Sequence, residues 1–225
     1  MGTAPMAAST RIKRLQTGAS TDGRSSRAKT LRKERREQIL AAGRRVFAEK
    51  GYHAASITDV IEAADVARGT FYLYFDSKRE IFETILDDLL ERLTAVIHRV
   101  ELGPGHPPIL EQLHGNVERV IQVLLSNRDL PSILRRTAIG IDEDFDRKLT
   151  DFYARITGLI ERALLRGMQQ GLLRPLNPNL IAKSILGSFK ELAVYSATAS
   201  LEDPAQLRAF SDELIRYNME GILKR

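Results

Sequence analysis

Apolar side chains recur every three or four residues along most of the chain, which is the spacing of an amphipathic α-helix. The first such stretch begins near Ala28 and ends before Gly51, a residue type that commonly terminates helices. Its inward positions are Ile39, Leu40, Gly43, Val46 and Phe47. The pattern therefore predicts a helix that buries one face.

Two short helices are predicted next, separated by about three residues. The first runs from Ser56 to Ala64, with the Ser56 hydroxyl as N-cap and Asp59 at the position where a capping box has its acid. The second covers 68–75. A fourth helix is expected to start at Ser77, with Glu80 at the capping-box position, and to run to about residue 102.

The segment Gly103-Pro-Gly-His-Pro-Pro108 interrupts the pattern, and helical spacing resumes beyond it. The further helices are predicted at 110–124, 131–139, 145–168, 180–198 and 205–223, and Gly171 ends the third of them. Val and Ile nowhere alternate with polar residues over the length of a strand. The predicted fold is all-α.

The positive charge of the chain lies at its beginning. Residues 1–36 contain ten Lys and Arg against Asp22 and Glu34, whereas the whole chain has a net charge of +5, so residues 37–225 are mildly acidic. Residues 1–28 contain few large apolar side chains and are expected to be disordered. A basic arm on such a body favours nucleic acid as a partner, although a solubilising tail, an organelle transit peptide or a start codon assigned too early are alternatives.

Several classes of protein are excluded by composition. The chain has no Cys, so disulfides, thiol nucleophiles and Cys-based zinc sites are ruled out. It has neither a run of about 18 apolar residues nor a secretory signal, which predicts no membrane contact and a cytoplasmic location. His98, His106 and His114 are separated by the Gly/Pro break, so no metal site is expected, and no cofactor loop is present. The acidic cluster at 142–146 could suggest catalytic carboxylates, but its position at a predicted helix N-terminus, where acids are favoured, explains it. An enzyme is therefore not expected.

The spacing of the second and third helices is that of a helix-turn-helix, in which the second helix enters the major groove of DNA. The run from Ser56 to Phe82 (Ser-Ile-Thr-Asp-Val-Ile-Glu-Ala-Ala-Asp-Val-Ala-Arg-Gly-Thr-Phe-Tyr-Leu-Tyr-Phe-Asp-Ser-Lys-Arg-Glu-Ile-Phe) and the preceding helix end, Val46-Phe-Ala-Glu-Lys-Gly-Tyr52, resemble the head of TetR-family regulators. The resemblance covers roughly residues 35–85. It implies a three-helix DNA-binding head on a helical body that binds a ligand and dimerises.

Eight residues of this segment are predicted to contact double-stranded DNA. Arg68 can reach a phosphate or a guanine edge, Gly69 allows close approach, and a hydroxyl or ammonium group can bind phosphate at the other positions. The eight residues are Ser56, Thr58, Arg68, Gly69, Thr70, Tyr72, Tyr74 and Lys78. The alternatives are a packed position for either tyrosine and a solvated surface position for Lys78.

Two residues depart from the family pattern. Asp65 stands where the turn usually has Gly, and Asp adopts the left-handed conformation less readily than Gly does. Ala67 replaces the usual Ser or Thr before the recognition helix, which removes an N-cap worth about 1 kcal/mol. Phe71 and Phe75, four residues apart, are predicted to lie in the core.

The predicted domains are a disordered basic arm at 1–28, the helix-turn-helix domain at 29–77 and a ligand-sensing and dimerisation domain at 78–225. Small residues on the penultimate helix predict a homodimer interface formed with the last helix, with intrachain packing as the alternative. The interface candidates are Gly187, Ser188, Ala193, Ser196, Ala197, Leu214 and Met219.

The resemblance implies a pocket for an unknown small-molecule effector in the body, and the candidate lining residues are also compatible with ordinary core packing. Its candidate lining residues are Phe145, Phe152, Tyr153, Ile156, Phe189 and Tyr195. The resemblance implies a repressor that binds a near-palindromic operator as a dimer and is released by the effector. A non-specific architectural DNA binder and a protein–protein adaptor are the other functions that the basic arm would suit.

Overall fold

A computed structural model of the protein describes residues 21–127, 129, 133, 143–198 and 204–220. Within these ranges every element is an α-helix, which confirms the predicted all-α fold. The helices are α1 (Thr21–Lys50), α2 (Ile57–Ala64), α3 (Arg68–Phe71), α4 (Lys78–Val96), α5 (Ile109–Ser126), α6 (Glu143–Gln169), α7 (Pro178–Thr198) and α8 (Pro204–Glu220). None of the described helices combines the length and the apolar character that a membrane span needs.

The first helix is longer than the hydrophobic pattern predicts. It begins at Thr21 rather than near Ala28, so residues 21–28 are helical and the expectation of disorder there is wrong; residues 1–20 lie outside the described residues. The chain divides into two units, of which the second starts at Gln38. The apolar pattern missed the early helical residues because they have no apolar face to reveal them.

Glycines end two helices as predicted. Gly51 follows α1 with a φ of 81° and Gly171 follows α6 with a φ of 72°, the left-handed conformation in which a residue with a side chain is strained. The Gly51 N–H donates to the Phe47 carbonyl at 2.9 Å and so continues the hydrogen bonding of α1 into the turn. Both ends are thus set by the local sequence.

The end of α4 was predicted at about residue 102, whereas the helix stops at Val96. Side chains of α5 bind the backbone that follows. Arg119 donates through Nε to the Val96 carbonyl at 2.8 Å, and Asn116 both accepts from the His98 N–H and donates to the His98 carbonyl, each at 2.8 Å. These contacts supply the hydrogen bonds that another helical turn would have made, and the helix ends early. The predicted helix over 131–139 lies outside the described residues, apart from Ile133.

In the body, which is the part of the described chain from residue 78 onward, α4 packs against α5 and α6, α6 packs against α7, and α5 also contacts α7 and α8. One apolar core joins this body to the residues that precede it, and its members come from α1 to α4 and from α6. Gly43 allows α1 and α4 to approach closely, since a Cβ there would lie 2.6 Å from Cγ2 of Ile81. The start of α4, immediately after the helix-turn-helix, is therefore fixed by packing on both sides.

Candidate nucleic-acid interface

Helix α2 is held by its own N-terminal residues. The Asp59 N–H donates to the Ser56 hydroxyl at 3.1 Å, and the Ser56 N–H donates to the Asp59 carboxylate at 2.9 Å, which is the predicted capping box. Lys50, at the end of α1, donates to the same carboxylate at 2.7 Å. These hydrogen bonds, with that from Lys50 the largest, lower the pKa of Asp59 to about 2 and raise the pKa of Lys50.

The other end of α2 is bound by side chains of α1. Gln38 donates through Nε2 to the Ala64 carbonyl at 2.7 Å, and Arg45 donates to the Ala63 carbonyl at 3.0 Å. The last carbonyls of a helix have no partner within it, so these bonds satisfy them and fix the direction of α2. Sequence reasoning missed both residues, although their separation of seven residues places them on one face of α1.

The turn between α2 and α3 contains Asp65, which stands where the family usually has Gly. Asp65 adopts φ 50° and ψ 53°, the left-handed conformation, and its N–H donates to the Glu62 carbonyl at 3.1 Å. At the start of α3, Ala67 provides no side-chain cap, as predicted. The recognition segment, residues 68–75, is helical in its first turn only, and α3 ends at Phe71, followed by a turn over 72–74.

The recognition segment is anchored from behind by two phenylalanines. Phe71 and Phe75 are buried at 0% and 1% exposure, which confirms the prediction that they belong to the core. Arg68 and Gly69 are exposed, and Tyr72 and Leu73 expose 42% and 71% of their surface. The segment therefore presents a polar and partly apolar outer face on a buried apolar base.

The other predicted contact residues differ in their exposure. Ser56 and Thr58, at the start of α2, are exposed, whereas Thr70 is half-buried. Tyr74 is half-buried as well and packs against the core, so its ring is partly structural. On the outer face, the Arg68 guanidinium lies 5.8 Å from the centre of the Tyr72 ring, a cation–π distance that holds the two side chains next to each other.

Lys78 has a structural task that sequence reasoning did not foresee. Its ammonium group donates to three carbonyls of the loop between α1 and α2: those of Tyr52 at 3.0 Å, His53 at 3.1 Å and Ala55 at 2.9 Å. The same group lies 4.8 Å from the centre of the Tyr52 ring. An ammonium has three hydrogens. A phosphate could bind Lys78 only by displacing one of these carbonyls, so the structure supports a role in holding the α1–α2 loop, and the predicted phosphate contact stays a prediction.

An aromatic cluster connects the α1–α2 loop with the body. Phe145, near the start of α6, stacks on Phe82 of α4 at 4.4 Å and packs against Tyr52 at 4.5 Å between ring centres. Close by, Arg79 of α4 donates to Asp144 of α6 at 2.5 Å. A shift of the start of α6 would therefore act on the loop that precedes the helix-turn-helix.

The aromatic residues predicted to line an effector pocket lie in several environments. Phe145 and Phe152 are buried in the core at 1% and 5% exposure, and Tyr153 and Ile156 pack against it. Tyr195 is 51% exposed. The structure thus favours core packing for the first four, the alternative reading of these positions. Phe189 is half-buried on α7.

A groove of about 870 Å³ lies between α4 and α6. Its walls combine apolar and small residues with two acidic and two basic side chains. The lining residues are Asp87, Leu90, Glu91, Thr94, Ala95, Ala154, Arg155, Gly158, Leu159 and Arg162. Arg155 and Asp87 form an ion pair across it at 2.9 Å. The volume is that of a small-molecule site, and none of the six predicted pocket residues is among its lining.

The histidines have ordinary surroundings. His114 lies 3.3 Å from the Asp212 carboxylate, which links α5 to α8, and the backbone of His98 is bound by Asn116. In the part of the chain that the structure describes, no group of three potential metal ligands comes together.

One of the predicted dimer-interface residues, Gly187, leaves open space on α7. Gly187 is exposed, and a Cβ on it would meet nothing within 4 Å. Leu214 is half-buried. Ser188 is half-buried and donates to the Ser184 carbonyl at 3.2 Å, within its own helix. The side chains of the other four candidates, Ala193, Ser196, Ala197 and Met219, lie outside the described residues.

Comparisons with known proteins give the following similarities. A family model described as bacterial regulatory proteins, tetR family, matches residues 39–85. The HTH-type transcriptional regulator HbdR of Aromatoleum sp. (strain CIB) is 29% identical over 193 residues, which are 86% of this chain and 80% of that protein. The HTH-type transcriptional repressor KstR of Mycolicibacterium smegmatis is 34% identical over 110 residues, covering 49% of this chain and 53% of KstR.

The fold is similar to that of a solved structure, the transcriptional regulator FadR from Bacillus subtilis in complex with stearoyl-CoA. The TM-score is 0.65 at 22% sequence identity, and the match covers 82% of this chain and 98% of that one. The match extends over the body as well as the helix-turn-helix, so the arrangement of helices is shared along most of the chain.

Proposed function

This chain belongs to the TetR family of bacterial regulatory proteins, and we propose that it represses transcription by binding a near-palindromic operator as a homodimer until a small-molecule effector releases it. It is a DNA-binding transcriptional regulator rather than an enzyme, in keeping with the regulators and repressors to which it is similar. As a bacterial protein acting on the chromosome, it would work in the cytoplasm.

The observation that carries the proposal is the two-sided recognition segment. Phe71 and Phe75 bury one side of it, while Arg68, Gly69 and Tyr72 remain exposed on the other. A segment held in this way can enter the major groove without a change in the core. Ser56, Thr58 and Thr70 supply hydroxyl groups for phosphate or base contacts beside it, and Tyr74 adds the edge of a partly packed ring.

Dimerisation would double the number of bases that are read and would impose two-fold symmetry on the operator. The support comes from α7 and α8, where the backbone at Gly187 is open to close approach. Large apolar side chains are exposed on the same two helices, with Leu180 at 63%, Tyr195 at 51% and Tyr217 at 77%. A partner subunit seated on α7 and α8 would bury these side chains.

The groove between α4 and α6 is the proposed effector site. A ligand alters DNA binding only if it prefers one of two conformations. Contacts from both helices would give that preference, because α4 follows the recognition segment directly and α6 reaches the α1–α2 loop through Phe145. Movement of α6 relative to α4 would then change the position of the helix-turn-helix.

The proposal is tested by selecting bound duplexes from a random library with the full-length protein. We expect an enriched inverted repeat, bound at least about a thousandfold more tightly than random DNA at physiological salt, and a dimeric mass in solution. Arg68→Ala should weaken operator binding about 5- to 150-fold, corresponding to about 1–3 kcal/mol, and relax selection at one base position of each half-site.

The matched control is Arg92→Ala, which removes an exposed arginine of α4 and should leave affinity unchanged. Both variants should unfold within about 0.5 kcal/mol of the wild type. A monomer without preference for any inverted repeat would refute the proposal. Equal binding losses in the two variants would refute the assignment of the recognition segment.

A further inference from the structure

The first part of α1 differs from the other helices in having no apolar face. Residues 25–35 are exposed, and Leu31, the one large apolar side chain among them, exposes 65% of its surface. An ordinary helix of a globular protein is stabilised by burying an apolar stripe. Residues 21–37 contain seven Lys and Arg against three acidic residues. This part of α1 therefore offers a partner mainly charge, with Leu31 as its single large apolar side chain.

The positive charge is ordered along the helix. Lys29, Arg32 and Lys33 stand three and four residues apart, which places them on one face of α1, and we call them the basic stripe. Glu34 lies on the opposite side of the helix. All three residues of the stripe are exposed, and none has an ion pair or a side-chain hydrogen bond with the described residues.

The positive charges of the basic stripe repel one another and so destabilise the helix on which they lie. Lys29 and Lys33 are like charges at positions i and i+4, a spacing at which repulsion destabilises a helix. A polyanion laid along this face would neutralise the charges and remove the repulsion. The same contacts would release counterions from the polyanion, which is the main source of sequence-independent binding to DNA.

We propose that the basic stripe is a second DNA contact of this protein, which binds backbone phosphates independently of sequence and becomes firmly helical when it does so. The partner follows from charge complementarity: three exposed cations in a row match the regular anionic backbone of a duplex. The inference rests on the proposed function only in choosing duplex DNA among the polyanions that this charge pattern fits. It adds affinity and leaves discrimination to the recognition segment.

The test compares Lys29→Gln/Arg32→Gln/Lys33→Gln with the control Arg92→Gln/Arg99→Gln/Lys183→Gln, in the full chain. Both sets remove three exposed charges, and Gln retains good helix propensity. Affinity for a 40-base-pair duplex of random sequence is measured as a function of salt concentration. Three lost phosphate contacts should reduce the slope of log affinity against log salt by about 2–3 units. The ratio of wild-type to variant affinity should therefore be about 40-fold smaller at 200 mM salt than at 50 mM salt. The control should keep the wild-type slope.

A second readout follows the helix directly. Hydrogen exchange of the amides in residues 27–37 should slow when the random duplex is added to the wild type, and should slow much less in the stripe variant. An unchanged salt slope in the stripe variant would overturn the proposal. So would protection of residues 27–37 by vesicles containing phosphatidylglycerol but not by the duplex, because the stripe would then be a membrane-binding surface.

The two proposals fail separately. One outcome is that the wild type shows no operator preference while the stripe variant still has a smaller salt dependence of binding to random DNA than the wild type. In that case the regulator proposal fails and the phosphate contact stands. If operator selection succeeds and the stripe variant has the wild-type salt slope, only the proposal that the basic stripe contacts DNA is refuted. The ratio of operator to random affinity should be the same in the wild type and the stripe variant, since a phosphate contact carries no sequence information.

Discussion

Substituting Lys78 separates a structural role from a DNA-binding role at one residue. The Lys78 ammonium donates to the carbonyls of Tyr52, His53 and Ala55 at 2.9–3.1 Å and lies against the Tyr52 ring. Lys78→Met keeps most of the apolar stem while removing the charge and all three donors. The loop between α1 and α2 then loses the group on which its carbonyls converge.

The expected loss of stability can be worked from these contacts. A hydrogen bond to a charged group contributes about 1.5–3 kcal/mol when it is measured singly. Three bonds that share one half-buried ammonium contribute less each, because water can reach the carbonyls in the variant, and we take about 1 kcal/mol for each. The variant should therefore be less stable by about 3 kcal/mol. For a chain of this length, that corresponds to a fall in Tm of about 6–12 °C.

The assay combines thermal unfolding with the salt dependence of DNA binding, measured well below the Tm of the variant. We expect a lower Tm and an unchanged salt slope, because a committed ammonium contributes no phosphate contact. Lys183→Met, at an exposed position of α7, is the control and should stay within about 0.5 kcal/mol of the wild type. An unchanged Tm together with a salt slope reduced by about one unit would refute this reasoning and return Lys78 to the DNA interface.

Two further predictions follow from packing and from charge. Gly43→Ala places a methyl group 2.6 Å from Cγ2 of Ile81 and should cost about 1–2 kcal/mol in urea unfolding, after the gain in helix propensity; the cost should shrink in an Ile81→Leu background, and an equal cost there would contradict the clash. Because the folded-state pKa of Asp59 is lowered to about 2, its stabilisation is present above about pH 4 and is lost as the pH falls towards 2. The Tm difference between the wild type and Asp59→Asn should close over that range, and a constant difference would argue against the Lys50 contact.

The parts of the fold that sequence predicted are those that depend on neighbouring residues. The capping box of Ser56 and Asp59, the left-handed Asp65 and the glycines that end α1 and α6 all follow from local backbone chemistry. Each needs only a few consecutive residues to form. The spacing of apolar residues likewise predicted which faces of α1 and α4 are buried.

Features that the sequence did not predict depend on residues that are distant along the chain. The early end of α4 depends on Asn116 and Arg119 of α5, and the role of Lys78 depends on carbonyls 23–26 residues before it. Aromatic residues such as Phe145 have the same helical spacing whether they line a cavity or fill a core. The tertiary structure alone distinguishes these cases.

The short recognition segment has an evolutionary consequence. Its helical part is a single turn, in which the residues that hold it, Phe71 and Phe75, are different from those that face outward, Arg68, Gly69 and Tyr72. Substitutions at the outward positions leave the packing of the phenylalanines intact. If the outward residues read the operator as proposed, substitutions there would change the preferred target sequence while the buried phenylalanines keep the segment folded.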